Sequence, residues 1–420
     1  MIKERTYLCI DLKSFFASVE AVERNLDPMT SNLIVADPDR GSGAICLAVT
    51  PAMRKLGVHN RCRVFEIPKH INYLIAKPRM SLYIQKSCDI YSLYLKYFSK
   101  DDIHVYSIDE SFIDVTDYLE LYHLDGVLVA RKLVNEIYQE LGLTATAGIG
   151  TNLFLAKVAL GIISKHHPEG IAFLDETAFK EQLWHHQPLS DFWMIGSGIM
   201  KRLHKHQAKT LYEVTKLDPL ILKKEFGINY EILLDHAWGK EPTTMSEIKH
   251  YKSQEKSISN GQILFEPYSY EAAKLIISEM VDLLSLELVD KHLVAGVIGL
   301  GIGYFKNEIK WTGGSMKLDN QTNVFSLLNQ AFIELYERTT NKEYQIKQIM
   351  VNLGALQDEA KETLDIFSDY EAVDKERQVE RAINDIKLRY GKNVITRGIS
   401  GHQKGTQKAR NKLIGGHNAK

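Results

Sequence analysis

Three acidic side chains at the ends of predicted strands are the residues best suited to chemistry. Asp11 ends the predicted strand 7–11, and Asp109 and Glu110 follow the predicted strand 103–108. Carboxylates this close together are costly unless water or cations neutralise them. Mg²⁺ needs a few oxygen ligands, and bound Mg²⁺ can align a nucleophile with a polyphosphate. If the two strands are neighbours, the acids predict a phosphoryl-transfer site that binds two metal ions.

Each acid also has a simpler interpretation. Asp11 has the position of an N-cap for a helix that begins near Lys13. Asp109 and Glu110 are equally typical of a solvated turn between two strands, and composition alone favours that turn. The neighbouring motifs must therefore decide between the two interpretations.

The composition describes a globular chain with room for several domains. It has 420 residues, of which 45% are apolar and 25% are charged, as is typical of globular proteins. No apolar run approaches the ~20 residues of a membrane-spanning helix, and the first residues do not resemble a signal peptide. We therefore expect a cytoplasmic protein that does not bind membranes.

Cysteine and charge patterns argue against a zinc site and a global basic surface. Cys9, Cys46, Cys62 and Cys88 lack the paired spacing of zinc ligands, so we expect buried free thiols and no disulfide framework. The net charge is −1, so any surface that binds nucleic acid must be local. One such stretch is 391–420, which contains seven Lys or Arg and no acid.

Periodicity divides the chain into five segments. Residues 1–175 mix strand and helix patterns and predict an α/β or α+β core. Residues 176–240 predict a small all-helical domain, and the polar segment 241–251 has the character of a linker. Residues 252–355 predict the order β-α-β-β-α-β, with helices on one face of the sheet. The charged segment 356–420 ends in a Gly-rich basic stretch that we expect to order only on a partner.

Three motifs, in order along the chain, resemble those of the Y-family of translesion DNA polymerases. They are Asp11-Leu12-Lys13-Ser14-Phe15-Phe16-Ala17-Ser18-Val19-Glu20, Ser107-Ile108-Asp109-Glu110-Ser111 and Gly148-Ile149-Gly150-Thr151-Asn152-Leu153-Phe154-Leu155-Ala156-Lys157. The first motif and the segment 410–417 are most similar to the UmuC-type (ImpB/MucB/SamB-like) branch of Gram-positive bacteria. The resemblance implies a multidomain α+β fold, a right-hand polymerase with palm, fingers, helical thumb and β-α-β-β-α-β little finger.

The resemblance also assigns these domains to the chain. The palm would comprise 1–14 and 82–175, the fingers 15–81, the thumb 176–240 and the little finger 252–355.

The resemblance gives the acids their roles. Asp11 and Asp109 would bridge two Mg²⁺ ions, Glu110 would hold the ion at the primer 3′-hydroxyl, and the Leu12 carbonyl would complete the nucleotide-side ion. Phe16 would be the steric gate that excludes a ribose 2′-hydroxyl.

Further residues would bind the dNTP. Phe15 and Phe16 would contact the nucleotide, although core packing at the start of a helix is an equal alternative for Phe15. Arg54 and Lys157 would clamp the triphosphate, although each is also typical of a solvated surface cation. Thr50 is a candidate substitute for a missing tyrosine hydroxyl.

The sequence departs from the family's pattern at three positions. Pro51 stands where related DinB-type members have Tyr, which is why Thr50 becomes a candidate. Lys13 replaces a usual Asp or Asn, and Gly161 replaces a usual Asp. None of these changes touches the three acids.

Contacts to DNA and to other proteins are implied as well. Gly196, Gly198, Lys201 and Arg202 resemble a helix-hairpin-helix turn whose amides approach a DNA phosphate, although ordinary helix turns share this pattern. A candidate peptide for the β sliding clamp follows the last strand, and an amphipathic helix start is the alternative. It consists of Thr363, Leu364, Asp365, Ile366 and Phe367.

The predicted function is error-prone DNA synthesis past damaged template bases, as part of DNA repair in an SOS-type response. Primer-template DNA and dNTP would be the substrates, and the sliding clamp, a UmuD-like subunit and RecA are candidate partners. A nucleotidyl cyclase is one alternative, because such palms share the paired acids. A non-catalytic DNA-binding scaffold is another, but intact Asp11, Asp109, Glu110 and Lys157 oppose it.

Overall fold

A computed structural model describes residues 5–252, 257–306, 308–362 and 369–420. The chain forms two compact units, residues 1–251 with 417–420 and residues 252–416. In the described ranges, none of the helices has the length and apolar character needed to cross a membrane. The candidate peptide 363–367 for the sliding clamp lies outside the described residues.

The first unit alternates strands and helices up to residue 174 and is helical from there to residue 250. Its strands are β1 Tyr7–Leu12, β2 Leu33–Val35, β3 Ala48–Val49, β4 Leu74–Ala76, β5 Ile103–Val105, β6 Glu110–Asp114, β7 Ala145–Gly150 and β8 Ile171–Leu174. Its helices are α1 Phe15–Val22, α2 Pro51–Lys55, α3 Met80–Tyr94, α4 Thr116–Tyr122, α5 Gly126–Leu141, α6 Leu153–Val158, α7 Glu176–Leu183, α8 Ser197–Lys205, α9 Leu211–Val214, α10 Pro219–Phe226, α11 Tyr230–Ala237 and α12 Met245–His250.

The main sheet of this unit has the strand order β5-β6-β1-β7-β8. β1 lies at its centre, and Leu8, Cys9 and Ile10 are fully buried, as expected for an apolar strand covered on both faces. β1 pairs with β6 and β7, whereas β5 pairs with β6. The sequence left open whether 7–11 and 103–108 are neighbours. In the structure, β6, the strand that follows Asp109, takes the position beside β1.

Two glycines of β7 let helix α6 lie directly on the sheet. A Cβ atom on Gly148 would lie 2.1 Å from the Ala156 carbonyl oxygen, and one on Gly150 would lie 2.2 Å from the Ala156 nitrogen. Real Cβ atoms do not approach backbone this closely, so both positions require glycine. This contact fixes α6, and with it Lys157, against the sheet.

Part of the predicted linker is a helix. Thr244 and Glu247 form a capping box at the start of α12, which satisfies amides that would otherwise lack partners. Met245 is buried in a small apolar cluster with Tyr7, Cys9 and Phe112. The linker interpretation of 241–251 is therefore wrong for 245–250, because one buried methionine and a good cap outweigh the polar composition.

The second unit contains the predicted β-α-β-β-α-β order. Its strands are β9 Ser257–Tyr268, β10 Leu293–Tyr304, β11 Thr312–Thr322, β12 Ile346–Gly354, β13 Gln357–Asp358 and β14 Leu413–Ile414. Its helices are α13 Tyr270–Asp290, α14 Phe325–Thr339, α15 Tyr370–Tyr390 and α16 Gln407–Arg410. The four long strands form an antiparallel sheet in the order β11-β10-β12-β9, and a last short strand, β15 His417–Asn418, belongs to the first unit.

Alternation along β10 places one face of this sheet in the core. Ile298, Leu300 and Ile302 belong to the same buried cluster as Met280 of α13 and Phe332 of α14. Glycines occupy the positions between them. Both long helices therefore pack on one face, as predicted, since side chains alternate along a strand.

Residues 391–416 pack within the second unit, whereas the sequence led us to expect that this basic stretch orders only on a partner. Arg397 forms ion pairs with Asp282 and, at 2.9 Å, with Glu380. The Thr406 amide donates to Glu279 at 2.8 Å. All three acids are at most 3% exposed as side chains or residues. The segment is held by buried paired charges, which composition does not distinguish from solvated ones.

Candidate active site

Backbone pairing brings the three predicted acids to one edge of the main sheet. Asp11 of β1 lies directly opposite Glu110 of β6. The Leu12 amide donates to the Asp109 carbonyl at 3.0 Å, which ties the turn before β6 to the end of β1. Thr146 lies opposite Asp11 on the other neighbouring strand. The prediction that these acids converge is therefore supported by the register of two strand pairs.

The turn interpretation of Asp109 and Glu110 also holds in part. The amides of Tyr106 and Ser107 both donate to the Glu110 carbonyl at 3.0 Å and close a tight turn between β5 and β6. The Ser107 hydroxyl donates to Asp109 at 2.6 Å. However, Glu110 is only 8% exposed, so the turn does not serve to keep it solvated.

Glu110 is held by a lysine and a thiol. The Lys157 ammonium donates to both Glu110 carboxylate oxygens, and Cys9 Sγ donates to Glu110 Oε1 at 3.1 Å. Burial acts to lower the pKa of Lys157, but the Cys9 and Glu110 side chains outweigh it and raise that pKa. Lys157 is therefore placed as a partner of Glu110, and it is not among the residues that line the cavity described below.

Asp11 is the acid whose charge the fold opposes most clearly. Burial, and after it the charge of Asp109, raise the pKa of Asp11 from 3.8 to about 6, while Lys165 acts in the opposite direction. A cation site without its cation raises the pKa of its carboxyl groups, because neighbouring acids repel each other's charge, and Asp11 shows such a raised pKa.

The acids fit a hard cation, although they do not form a complete chelate here. In the part of the chain that the structure describes, no three His, Cys, Asp or Glu side chains form a metal-binding group. Glu110 is bound to Lys157. Asp11, Leu12 and Asp109 nevertheless line one cavity, and their oxygen atoms are the donors that Mg²⁺ prefers.

That cavity, which we call the nucleotide cavity, has a volume of about 430 Å³, within the range of small-molecule sites. Its walls come from the end of β1, the turn and start of α1, helix α2 and the segment after α6. The lining residues are Asp11, Leu12, Lys13, Ser14, Phe15, Phe16, Met29, Leu47, Ala48, Pro51, Arg54, Asn60, Asp109, Thr146 and Lys165. It therefore unites three of the predicted metal ligands, Asp11, Leu12 and Asp109, with the predicted gate and one predicted phosphate clamp, whereas Glu110 does not line it.

The two phenylalanines have different environments. Phe15 is 3% exposed and belongs to the main core, as its packing alternative predicted. Phe16 is half-buried and stacks on Tyr83 with ring centroids 4.5 Å apart. Tyr83 donates a hydrogen bond to buried Glu20 at 2.8 Å, and Arg79 pairs with the same carboxylate at 2.8 Å. Phe16 thus lines the cavity, and the hydrogen-bonded Tyr83 ring packs against it and fixes its position.

Thr50 does not replace the missing tyrosine hydroxyl. It is fully buried, its hydroxyl donates to the Ser31 carbonyl at 2.8 Å, and it accepts from the Leu33 amide at 3.2 Å. A hydroxyl has one hydrogen to donate, so none remains for a phosphate. The proposed role of Thr50 is therefore wrong, and Asn60 is the polar side chain that lines the cavity nearby.

Lys165 is the site residue that sequence reasoning missed. The chain after α6 continues through a π-helical turn, Ala159–Ile163, and a short 3₁₀ turn, Ser164–His166. This path brings Lys165 to the nucleotide cavity, which Arg54 also lines. The basic residue eight positions after the Lys157 motif was visible in the sequence, but its direction depends on this irregular path.

The predicted DNA-binding turn precedes α8. Gly196 is the N-cap of α8, and a Cβ atom on Gly196 or Gly198 would meet nothing within 4 Å, so the backbone there is open to a large ligand. Lys201 is exposed on α8. Arg202, in contrast, donates to the Glu225 carbonyl at 2.6 Å and lies over the Phe226 ring. The structure therefore uses Arg202 for packing within the helical region.

Comparison with known proteins shows the family of this chain. Residues 10–161 match the impB/mucB/samB family model, and residues 255–366 match the model of its C-terminal domain. The putative UV-damage repair protein UvrX of Bacillus subtilis is 32% identical, over 98% of this chain and 97% of the relative. DNA polymerase IV 2 of the same organism is 28% identical, over 99% and 100%.

A structural comparison supports the same conclusion at the level of the fold. A solved Y-family DNA polymerase chimera superposes with a TM-score of 0.63 and 21% identity, over 84% of this chain and 99% of the other. The predicted fold class and family are thus confirmed, and the chain belongs to the impB/mucB/samB family.

Proposed function

We propose that this protein extends a DNA primer opposite damaged template bases, with dNTP as its second substrate and two Mg²⁺ ions as cofactors. The observation that carries the proposal is the nucleotide cavity, in which two acids, three cations and an aromatic gate meet. The UV-damage repair name of the relative UvrX supports a damaged template.

The acids would hold the metal ions. Asp11, Asp109 and the Leu12 carbonyl would bind at the cavity, and Glu110 would join them by exchanging its Lys157 contact for a cation. Divalent ions at such a site align the attacking oxygen and neutralise the phosphates. In the metal-free protein, Lys157 and Cys9 would hold the Glu110 carboxylate close to the site.

The remaining side chains of the cavity would position the nucleotide. Arg54 and Lys165 would bind the triphosphate, and a guanidinium can do so with two parallel hydrogen bonds. Lys165 takes the role that the sequence assigned to Lys157. Phe16, supported by Tyr83, would occupy the space of a ribose 2′-hydroxyl and thereby select deoxyribonucleotides.

Contacts beyond the cavity would hold DNA and accessory proteins. The open backbone at Gly196 and Gly198, with exposed Lys201, would bind a DNA phosphate without regard to sequence. Such binding weakens steeply with salt. Docking to a sliding clamp through 363–367, a UmuD-like subunit, RecA and an SOS-type response belong to the same proposal by family resemblance.

Primer extension with Asp109→Asn tests the proposal. We expect the wild type to extend a primer with dNTP and Mg²⁺ on intact, abasic and thymine-dimer templates. The variant should lose extension, by about 10³-fold or more as transition-state charge loses its support, yet keep its affinity for primer-template DNA. Extension that survives in Asp109→Asn would overturn the assignment.

A second measurement separates the alternatives. A nucleotidyl cyclase would convert NTP without DNA, and a scaffold would bind DNA without converting any nucleotide. Either outcome for the wild type would replace the proposed polymerase function. If the wild type extends primers normally on intact DNA but stalls at every lesion, the proposed polymerase function stands and only the proposed translesion activity is refuted.

A further inference from the structure

Three cations line the nucleotide cavity without an acidic partner. They are Lys13, Arg54 and Lys165, and within the described ranges none of them forms an ion pair. Lys157 shows the contrast, because its ammonium is bound to Glu110. Asp11 and Asp109 line the same cavity, so its lining has three cations and two acids. Three cations that repel each other and, among the described residues, form no ion pair favour a polyanion as ligand.

Lys13 is the member of this group that has no assigned role. It follows β1 directly, so it stands two positions after Asp11 and next to the Leu12 carbonyl. Its backbone is fixed on both sides, because its amide donates to the Thr144 carbonyl at 2.8 Å and its carbonyl accepts from the Ser18 hydroxyl at 2.6 Å. The next residue, Ser14, has a left-handed backbone with φ 51°, which turns the chain into α1.

The ammonium of Lys13 lies beside Gly170. Gly170 has φ +69°, and a Cβ atom on it would lie 3.8 Å from Lys13 Nζ. Lys165 precedes Gly170 on the same short segment. Two lysines thus reach the cavity from different parts of the chain, Lys13 from the end of β1 and Lys165 from the turn before β8.

We propose that Lys13 is a third triphosphate-binding residue, which contacts the phosphates of dNTP beside Arg54 and Lys165. The inference rests on the proposed polymerase function and adds a nucleotide contact that the family pattern does not contain. The family resemblance implies Asp or Asn at this position, and neither carries a positive charge. A lysine there adds a positive charge at the cavity and strengthens binding of a polyanion.

Equilibrium binding of dNTP tests the inference without requiring turnover. Full-length protein is bound to a primer whose end is a dideoxynucleotide, so that no bond forms, and binding of the complementary dNTP is measured with Mg²⁺. We expect Lys13→Gln to raise the Kd for dNTP about tenfold, as for loss of one charge-assisted contact. Lys13→Asp should raise it further, and Lys13→Arg should restore it to within about threefold.

A matched lysine controls for general charge loss. Lys69 is exposed and does not line the cavity, so Lys69→Gln should leave the Kd for dNTP unchanged. The affinity of Lys13→Gln for primer-template DNA and its thermal midpoint should equal those of Lys69→Gln.

Three outcomes would overturn the inference. If Lys13→Gln binds dNTP as the wild type does, Lys13 does not contact the nucleotide, although the polymerase function stands. If it loses DNA affinity and keeps dNTP affinity, Lys13 binds the nucleic acid. If the wild type neither binds dNTP nor extends a primer, the proposed function itself fails.

Discussion

Asp11 carries a negative charge that the metal-free fold opposes, and this predicts a gain of stability when the charge is removed. Burial and the nearby Asp109 raise the pKa of Asp11 from 3.8 to about 6. That difference corresponds to about 3 kcal/mol of unfolding free energy at neutral pH. We predict that Asp11→Asn, which keeps the shape of the side chain, stabilises the metal-free protein by about this amount.

The pH dependence of the effect follows from the sign of the shift. Because the pKa of Asp11 is higher in the folded state than in the unfolded state, Asp11 costs no stability below about pH 4. The cost grows as the pH rises toward 6 and is constant above it. The stability of Asp11→Asn should therefore exceed that of the wild type at pH 7.5 and equal it near pH 4.

Denaturation in the presence of a chelator measures the difference. At pH 7.5 with EDTA, the thermal midpoint of the first unit should rise by roughly 6 °C, since about 3 kcal/mol shifts a unit of this size by some degrees. Exposed Asp101 gives a matched control, and Asp101→Asn should change stability by less than about 0.5 kcal/mol. Millimolar Mg²⁺ should stabilise the wild type more than Asp11→Asn, because binding to the folded state adds stability.

One result would refute the reasoning. If Asp11→Asn is no more stable than the wild type with EDTA at pH 7.5, burial and Asp109 do not oppose the Asp11 charge. The electrostatic case for a cation site at the end of β1 would then be lost. A gain that persists unchanged at pH 4 would show that the effect comes from packing and has no connection with ionisation.

Two further predictions concern residues behind the site and in the second unit. Tyr83→Ala should remove the ring beneath Phe16 and raise ribonucleotide incorporation about tenfold. Phe16→Ala is the positive control, and Tyr83→Phe, which keeps the ring, should leave ribonucleotide incorporation unchanged. Equal sugar selectivity in all three variants would show that the gate lies elsewhere. Arg397→Met leaves two buried acids without their cation and should destabilise the second unit by about 3 kcal/mol. Urea denaturation measures the loss of unfolding free energy, with exposed Lys408→Met as the control. If Arg397→Met loses no more stability than Lys408→Met, this prediction is contradicted.

Sequence reasoning identified the acids because their chemistry does not depend on details of the fold. Asp11, Asp109 and Glu110 are adjacent to buried strands, and any pairing that makes those strands neighbours brings the acids together. The sequence left the pairing partner open, since the choice between β5 and β6 as neighbour of β1 is made by contacts about 100 residues apart in sequence. Local periodicity carries no information about such a choice.

The same limit explains the errors in the nucleotide contacts. Lys157 is on a regular helix and Lys165 follows an irregular turn, so only the structure tells which of them reaches the cavity. Thr50 has the right chemistry, but its hydroxyl completes backbone hydrogen bonds at Ser31 and Leu33. Such use of a polar side chain is invisible in a sequence.

The C-terminal segment shows a different limit. Glu380 and Arg397 look like solvated charges in a polar helix and a basic tail, yet both serve to hold the segment on α13. Burial of paired charge is rare enough that composition predicts the opposite. The β-α-β-β-α-β order was predictable because alternating and helical patterns are long in that unit.

The charges of the active site fall into a paired set and an unpaired set, and this division is itself evidence for function. Lys157 and Glu110 neutralise each other, whereas among the residues that the structure describes Asp11 and the three cations of the nucleotide cavity form no ion pair, although Lys165 is near enough to influence Asp11. Backbone hydrogen bonds fix Leu12 and Lys13 at the end of β1. Acids kept apart from cations in one cavity leave each set available to a ligand of the opposite charge, as a metal-bound triphosphate requires.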